Sequence, residues 1–188
     1  EWEKEAAKRK LKNLKSTPEA LKIELEPKFV SLFVENGVLS QVEIEARNEI
    51  KLEKYSTLID IEAQVLVDLA RNHIIPTAVN YQNKLIENVR GLKEIFSAEE
   101  FKSLAQEQID LIKMISGKIA GIKVSVDRTI SEMKKCQKIL DTHKKAEAYS
   151  EKVKPYFDVI RADVDELEML VDDEIWPLTK YRELLFSR

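Results

Sequence analysis

The chain has 188 residues, 35% of them charged, with only four glycines and five prolines. That balance favours long helices over strands and turns, and the length suits one domain with a sizeable core. The net charge of −3 gives no global reason to expect nucleic acid or an anionic membrane as partner. No apolar run nears the roughly 18 residues of a membrane helix, and no secretory signal is read at the start. The single cysteine, Cys136, excludes an internal disulfide framework and fits a reducing cytoplasm. Because the first residue is Glu1 rather than Met, we expect a segment of a longer protein.

Residues 1–15, EWEKEAAKRKLKNLK, are good helix formers with Trp2, Leu11 and Leu14 as the sizeable apolar residues. The local run of lysines lacks interleaved aromatics or a nucleic-acid motif, so it reads as a solvated helical face. Thr17-Pro18-Glu19 marks a helix start, with Thr17 as N-cap and Pro18 at the first helical position. Pro27 restarts a short helix carrying Phe29, Val30, Leu32 and Phe33, and Asn36-Gly37 ends it. Helices this short need a larger element to pack on.

Ser40-Gln41-Val42-Glu43 is a capping box, and no stop follows until about Phe96. Unbroken, that helix spans about 80 Å. Leu58, Ile61, Val65, Leu69, Asn72, Pro76, Val79, Asn83 and Ile86 follow at steps of three or four and predict its buried face. Ile59, Ala63, Leu66, Ala70 and Ile74 form a second apolar row beside it. Pro76 removes a donor and crowds the carbonyl four residues back, so a kink is expected near Asn72–Pro76.

Ser97-Ala98-Glu99-Glu100 is another capping box, so the chain reverses within a few residues. Phe101, Ala105, Gln108, Ile112, Ile115, Ile119, Ile122, Val126, Thr129, Met133, Cys136 and Leu140 then alternate steps of four and three, an a/d seam of more than five heptads. Gly117 and Gly121 beside it suggest a close helix approach or a soft spot. Asp141-Thr142-His143 is the second reversal. Tyr149, Val153, Tyr156, Ile160, Val164, Leu167, Val171, Ile175 and Leu178 mark a third long helix, kinked or restarted at Pro155. Pro177 should end it, with Thr179 capping a final turn.

No residue cluster announces chemistry. His73 and His143 lack ligand-spaced partners and read as structural or surface residues. The Glu-x-x-His pairs of di-iron bundles are absent, as are GxxxxGK and GxGxxG phosphate loops. Cys136 on the seam reads as a buried, inert thiol. The acids Asp158, Asp163, Asp165, Glu166, Glu168, Asp172, Asp173 and Glu174 lack EF-hand spacing. They read as a solvated face, or as partners of Lys134, Lys135, Lys138, Lys144 and Lys145. The tail is different. Trp176, Tyr181, Leu184, Leu185 and Phe186 form a candidate docking surface, because free tails are usually polar.

STPEAL (16–21), QVEIEARNEI (41–50), IDIEAQVLVDLARNHIIPTAVNYQNKLIENVRGLKEIF (59–96) and VDDEIWPLTKYRELLF (171–186) resemble the C-terminal region of type III glutamine synthetases. The IIP element and the terminal WPLxxYxELLF are the most specific parts. The resemblance implies a parent enzyme that makes glutamine from glutamate and ammonia with ATP and Mg, as a ring-forming homo-oligomer. It implies that the catalytic and cofactor-binding residues lie in an upstream domain, so none is assigned here: no catalytic residue, no cofactor-binding residue and no metal ligand.

The expected fold is all-α, an antiparallel bundle of three long coiled-coil-like helices at about 41–96, 98–140 and 144–175. Short N-terminal helices (1–39) pack on the bundle (40–178), and a docked tail (179–188) completes one domain. The expected role is non-catalytic, in subunit packing or assembly, with the upstream catalytic domain and neighbouring subunits as partners. Neither nucleic acid nor membrane is expected as partner. A stand-alone helical interaction module is the alternative, and a metal-carboxylate bundle enzyme is disfavoured by the missing ligand motif.

Overall fold

The computed structural model describes residues 1–186, the Tyr181 side chain excepted. Every element is helical, and no strand occurs among the described residues. The order is α1 (Trp2–Lys8), α2 (Thr17–Ile23), α3 (Pro27–Glu35), α4 (Gln41–Asp68), α5 (Ile75–Ile95), α6 (Ala98–Cys136), α7 (Thr142–Ala148), α8 (Pro155–Leu170) and α9 (Tyr181–Leu185). Two π-helical turns, Leu69–Ile74 and Tyr149–Val153, lie between α4 and α5 and between α7 and α8. The chain divides into two compact units, Glu1–Ala63 with Ser131–Pro155 and Gln64–Ile130 with Tyr156–Arg188.

The helix starts follow from side chains that satisfy orphan amides. Ser40 N–H donates to Glu43 Oε2 at 2.8 Å while Glu43 N–H donates to Ser40 Oγ at 3.3 Å. The same exchange joins Ser97 and Glu100 at 3.1 and 3.4 Å. Bonds to Glu43 from the Ser40 amide and hydroxyl, and to Glu100 from the Ser97 hydroxyl and amide, hold both carboxyls below the usual range. At α2 the cap is Ser16 rather than Thr17: Glu19 N–H donates to Ser16 Oγ and Ser16 N–H to Glu19 Oε2. The reciprocal glutamate three residues on makes Ser16 the better N-cap, which shifts Pro18 to the second helical position. Gly37, at φ 64°, takes the left-handed conformation after α3.

Helix α1 is shorter than its composition suggests. It stops at Lys8, and Lys10 adopts a left-handed φ of 59°. Beyond it Asn13 Nδ2 donates to Glu3 Oε1 and Lys12 pairs with Glu26. Those contacts turn the segment back instead of continuing the helix.

In the first unit, Leu21, Leu52 and Ala146 form a small core cluster flanked by Tyr55. Asn48 is 1% exposed; its Nδ2 donates to Leu21 O at 2.7 Å and so satisfies a carbonyl near the α2 end. In the second unit the core joins Ala70, Ile74, Ala78, Ile115, Ile122, Val126, Ile160, Val164, Leu167, Val171 and Trp176. Arg71 bonds Asp127, whereas Gln82 Nε2 donates to Ile112 O at 3.0 Å and to Ser116 Oγ. Partner numbers fall from Arg71 in the π-turn to Gln82 in α5, so this run and α6 are antiparallel.

Three differences from the sequence reading have physical causes. First, the two apolar rows of the long helix exchange roles. Leu58, Ile61 and Val65 are 48–53% exposed, whereas Ile59, Ala63, Ala70 and Ile74 are buried. Small alanines permit the closest helix approach, yet they weigh little beside Leu and Ile in a hydrophobic pattern. Second, α6 ends at Cys136, and Leu140 is fully exposed. Asp141 then caps α7, accepting from Lys144 N–H at 2.7 Å, so that helix starts at Thr142. The remaining seam residues are buried or half-buried. Third, α8 stops at Leu170, well before Pro177. Asp172 initiates the exit: its carboxylate accepts from Glu174 N–H, and its carbonyl accepts from Ile175 and Trp176 N–H. Short acids favour such local turns over helix continuation.

Pro76 interrupts its helix through the π-turn. Ile75 N–H donates to Ala70 O, five residues back, and Pro76 becomes the second residue of α5, where a missing N–H leaves no ladder bond unmade. An interior proline costs about 3 kcal/mol, but one in a first turn costs far less. Pro76→Ala should therefore change stability by less than about 1 kcal/mol in urea unfolding. A gain approaching the interior-proline value would show that the π-turn does not relieve the proline.

Candidate functional site

The tail begins inside and ends outside. Trp176 is 8% exposed within the core of the second unit, and Ile175 and Leu178 pack against that core. Its indole N–H finds no acceptor among the described residues, so packing alone holds the ring. Lys180 closes the docked part: its Nζ donates to Glu168 O at 3.1 Å and pairs with Asp173. Arg182 Nη2 reaches the other oxygen of Asp173 at 3.0 Å. The Lys180 bond, then the Arg182 bond, hold the Asp173 carboxyl below its ordinary 3.8.

Beyond this anchor the short α9 leaves Leu184, Leu185 and Phe186 59%, 64% and 79% exposed. Its N-cap is Lys180, not Thr179, and Lys180 N–H donates to Glu183 Oε2 at 3.0 Å. The carboxylate of Glu183 reaches back to that amide, which displaces the expected start by one residue. The Tyr181 side chain, Ser187 and Arg188 lie outside the described residues. Of the candidate docking residues, then, Trp176 is internal and Leu184, Leu185 and Phe186 face solvent.

The sequence reading missed a polar hollow of about 330 Å³ in the first unit, lined by Glu53, Thr57, Asp60, Gln137, Lys145 and Tyr149 among others. Tyr149, 1% exposed on its π-turn, donates from its phenol to Asp60 Oδ1 at 2.7 Å, and Gln137 Nε2 donates to the same atom at 3.1 Å. Burial, then the Asp60 bond, push the phenol far above its usual value, so it stays protonated. These residues lie up to 89 positions apart, and no local motif links them.

The remaining candidates are quiet. His73 is exposed; His143 is half-buried, with Nδ1 3.6 Å from Glu147 Oε1. Cys136 is buried, and desolvation raises its thiol further above neutrality, as an inert thiol requires.

The acids of α8 find other partners than the lysines singled out from the sequence. Asp163 and Glu166 share Lys118 at 3.0 and 2.8 Å, and Arg161 approaches Asp165 at 3.5 Å. Lys135 instead bonds Glu132 on its own helix at 2.6 Å. The Asp163 carboxylate reaches Lys118 past Gly121, where an added Cβ would stand 2.8 Å from Asp163 Oδ2. Gly121 thus marks a close approach, whereas Gly117 has open space.

No group of three or more His, Cys, Asp or Glu side chains among the described residues is placed to hold a metal ion. No helix among them is long and apolar enough to cross a membrane.

The described residues define an all-α class of protein, and sequence comparison narrows it. Residues 1–93 match the glutamine synthetase C-terminal domain. The chain is 46% identical over 189 residues to a glutamine synthetase of Bacteroides fragilis (strain YCH46). It is 31% identical over 188 residues to a type-3 glutamine synthetase of Dictyostelium discoideum, and 27% over 187 to a glutamine synthetase of Butyrivibrio fibrisolvens. Each alignment covers 100% of this chain and 26% of the relative, so the chain spans about a quarter of their length. The chain belongs to the glutamine synthetase C-terminal domain family.

Two substitutions test these contacts. Tyr149→Phe should cost about 1–3 kcal/mol in urea unfolding, because Asp60 loses a buried donor; a neutral result would mean water replaces the hydroxyl fully. The Asp173 anchor is present above the ordinary aspartate value of 3.8 and is lost as pH falls through the lowered one. At neutral pH, Asp173→Asn should therefore speed tryptic cleavage after Lys180 and Arg182, read by mass spectrometry, with the melting temperature changing little.

Proposed function

We propose that this chain is the non-catalytic C-terminal helical domain of a type III glutamine synthetase, serving subunit packing or assembly. The carrying observation is that alignments cover the whole chain yet only 26% of each relative, one of them named as type-3. In this reading the parent joins ammonia to glutamate with ATP and Mg, in the cytoplasm, and supplies the active site from an upstream catalytic domain. Supporting it, Glu43, Glu100 and Asp173 are committed to caps and ion pairs, and the thiol and the Tyr149 phenol are held protonated by burial.

The exposed Leu185 and Phe186 beyond the Asp173 anchor supply an apolar contact for a neighbouring subunit. Deleting residues 179–188 from the full-length enzyme should give smaller assemblies by mass photometry. The same deletion in the 188-residue chain should lower its melting temperature by less than about 4 °C, the shift expected for about 1 kcal/mol or less. Intact assembly after the deletion would refute the packing role. Collapse of the isolated chain would instead assign the segment to its own core.

A further inference from the structure

Helix α3 is an anomaly for a folded domain. It carries Phe29, Val30, Leu32, Phe33 and Val34 within nine residues, yet none of its residues is buried. Phe29 and Phe33 stack at 4.7 Å between ring centroids and line a shallow groove with Leu39, Ala46 and Ile50. On the outward side Leu32 is 59% exposed. Lys28 and Glu35, also exposed, flank it four residues before and three after, so the three side chains share one face. The stripe reads cation, apolar, anion over about 10 Å, at about 1.5 Å per residue. Neither charge is used among the described residues: there Lys28 and Glu35 take part in no side-chain ion pair or hydrogen bond.

We propose that α3 is a self-complementary docking face through which two copies of this chain pair, their α3 helices antiparallel. Leu32 lies within half a residue of the midpoint between Lys28 and Glu35. A two-fold axis there sets Leu32 on Leu32 and each Lys28 opposite the other copy's Glu35, as an isologous contact requires. A parallel arrangement sets lysine on lysine and glutamate on glutamate, so the charges select the antiparallel one. Leu25 and Val38, 40% and 61% exposed next to the helix ends, extend the apolar contact. A nine-residue helix with these flanks buries less than the roughly 1,200 Å² of a standard stable interface, so the pairing is weak and concentration-dependent. It does not involve the C-terminal tail.

Sedimentation equilibrium of the 188-residue chain from about 10 to 500 μM, the range for a small interface, tests this. A monomer–dimer equilibrium is expected, and Leu32→Glu should weaken it more than about tenfold while the circular dichroism spectrum stays unchanged. Lys28→Glu and Glu35→Lys should each weaken it roughly two- to fivefold, the scale of exposed ion pairs, and the double reversal should restore it. Deleting 179–188 should leave it unaltered, which separates this contact from the tail. A chain monomeric throughout, a dimer indifferent to Leu32→Glu, or a double reversal weaker than either single one overturns the proposal.

Discussion

A proline within a helical run cannot donate to the carbonyl four residues back, and its ring presses on that carbonyl. Both prolines that interrupt long helical stretches are met by the same local solution. At Pro76 the preceding residue, Ile75, bonds Ala70; at Pro155 the preceding residue, Lys154, bonds Tyr149 at 3.0 Å. Each bond reaches five residues back, so a π-turn ends two residues before each proline and a fresh α-helix begins around it. The widened turn also sets the packing. Ala70, Ile74 and Ala78 succeed one another at steps of four and all are buried. An α-helix advances about 100° per residue, so repeated steps of four drift by about 40° each. The slower π-turn keeps them facing one core. In the first unit the same device buries Tyr149 and Val153 and aims the phenol at Asp60.

Several of the polar groups inside are committed to partners within their own unit. Asn48 satisfies a carbonyl of α2, Thr129 Oγ1 donates to Ser125 O at 2.8 Å, and Tyr149 donates to Asp60. Desolvation favours the neutral form of both the Cys136 thiol and the Tyr149 phenol. A nucleophile or general base needs the opposite, a group poised to lose its proton near neutral pH. Neither the Cys136 thiol nor the Tyr149 phenol meets that need.

The tail and α3 each divide their apolar residues between the fold and solvent. Trp176 and the Lys180–Asp173–Arg182 cluster fix the chain just before its last turn, and the apolar residues beyond project outward. Helix α3 likewise uses its aromatic face against α4 and leaves Leu32 outside. In both places one element is half spent on its own unit and half on solvent.

From the sequence alone came the all-α class, the capping boxes at Ser40 and Ser97, the rapid reversal at 97 and the seam of α6. These are local or strictly periodic signals, carried by residues within one or two turns of each other. Three-dimensional packing decided which of the two apolar rows of the long helix lies inside, because burial there depends on alanines that let helices approach, not on the largest side chains. It likewise decided that Lys118 rather than the lysines of the α6–α7 region pairs with Asp163, and that Asp60 meets Tyr149 across 89 residues. Each of these depends on contacts between residues far apart in the chain, and helical periodicity carries no information about such contacts.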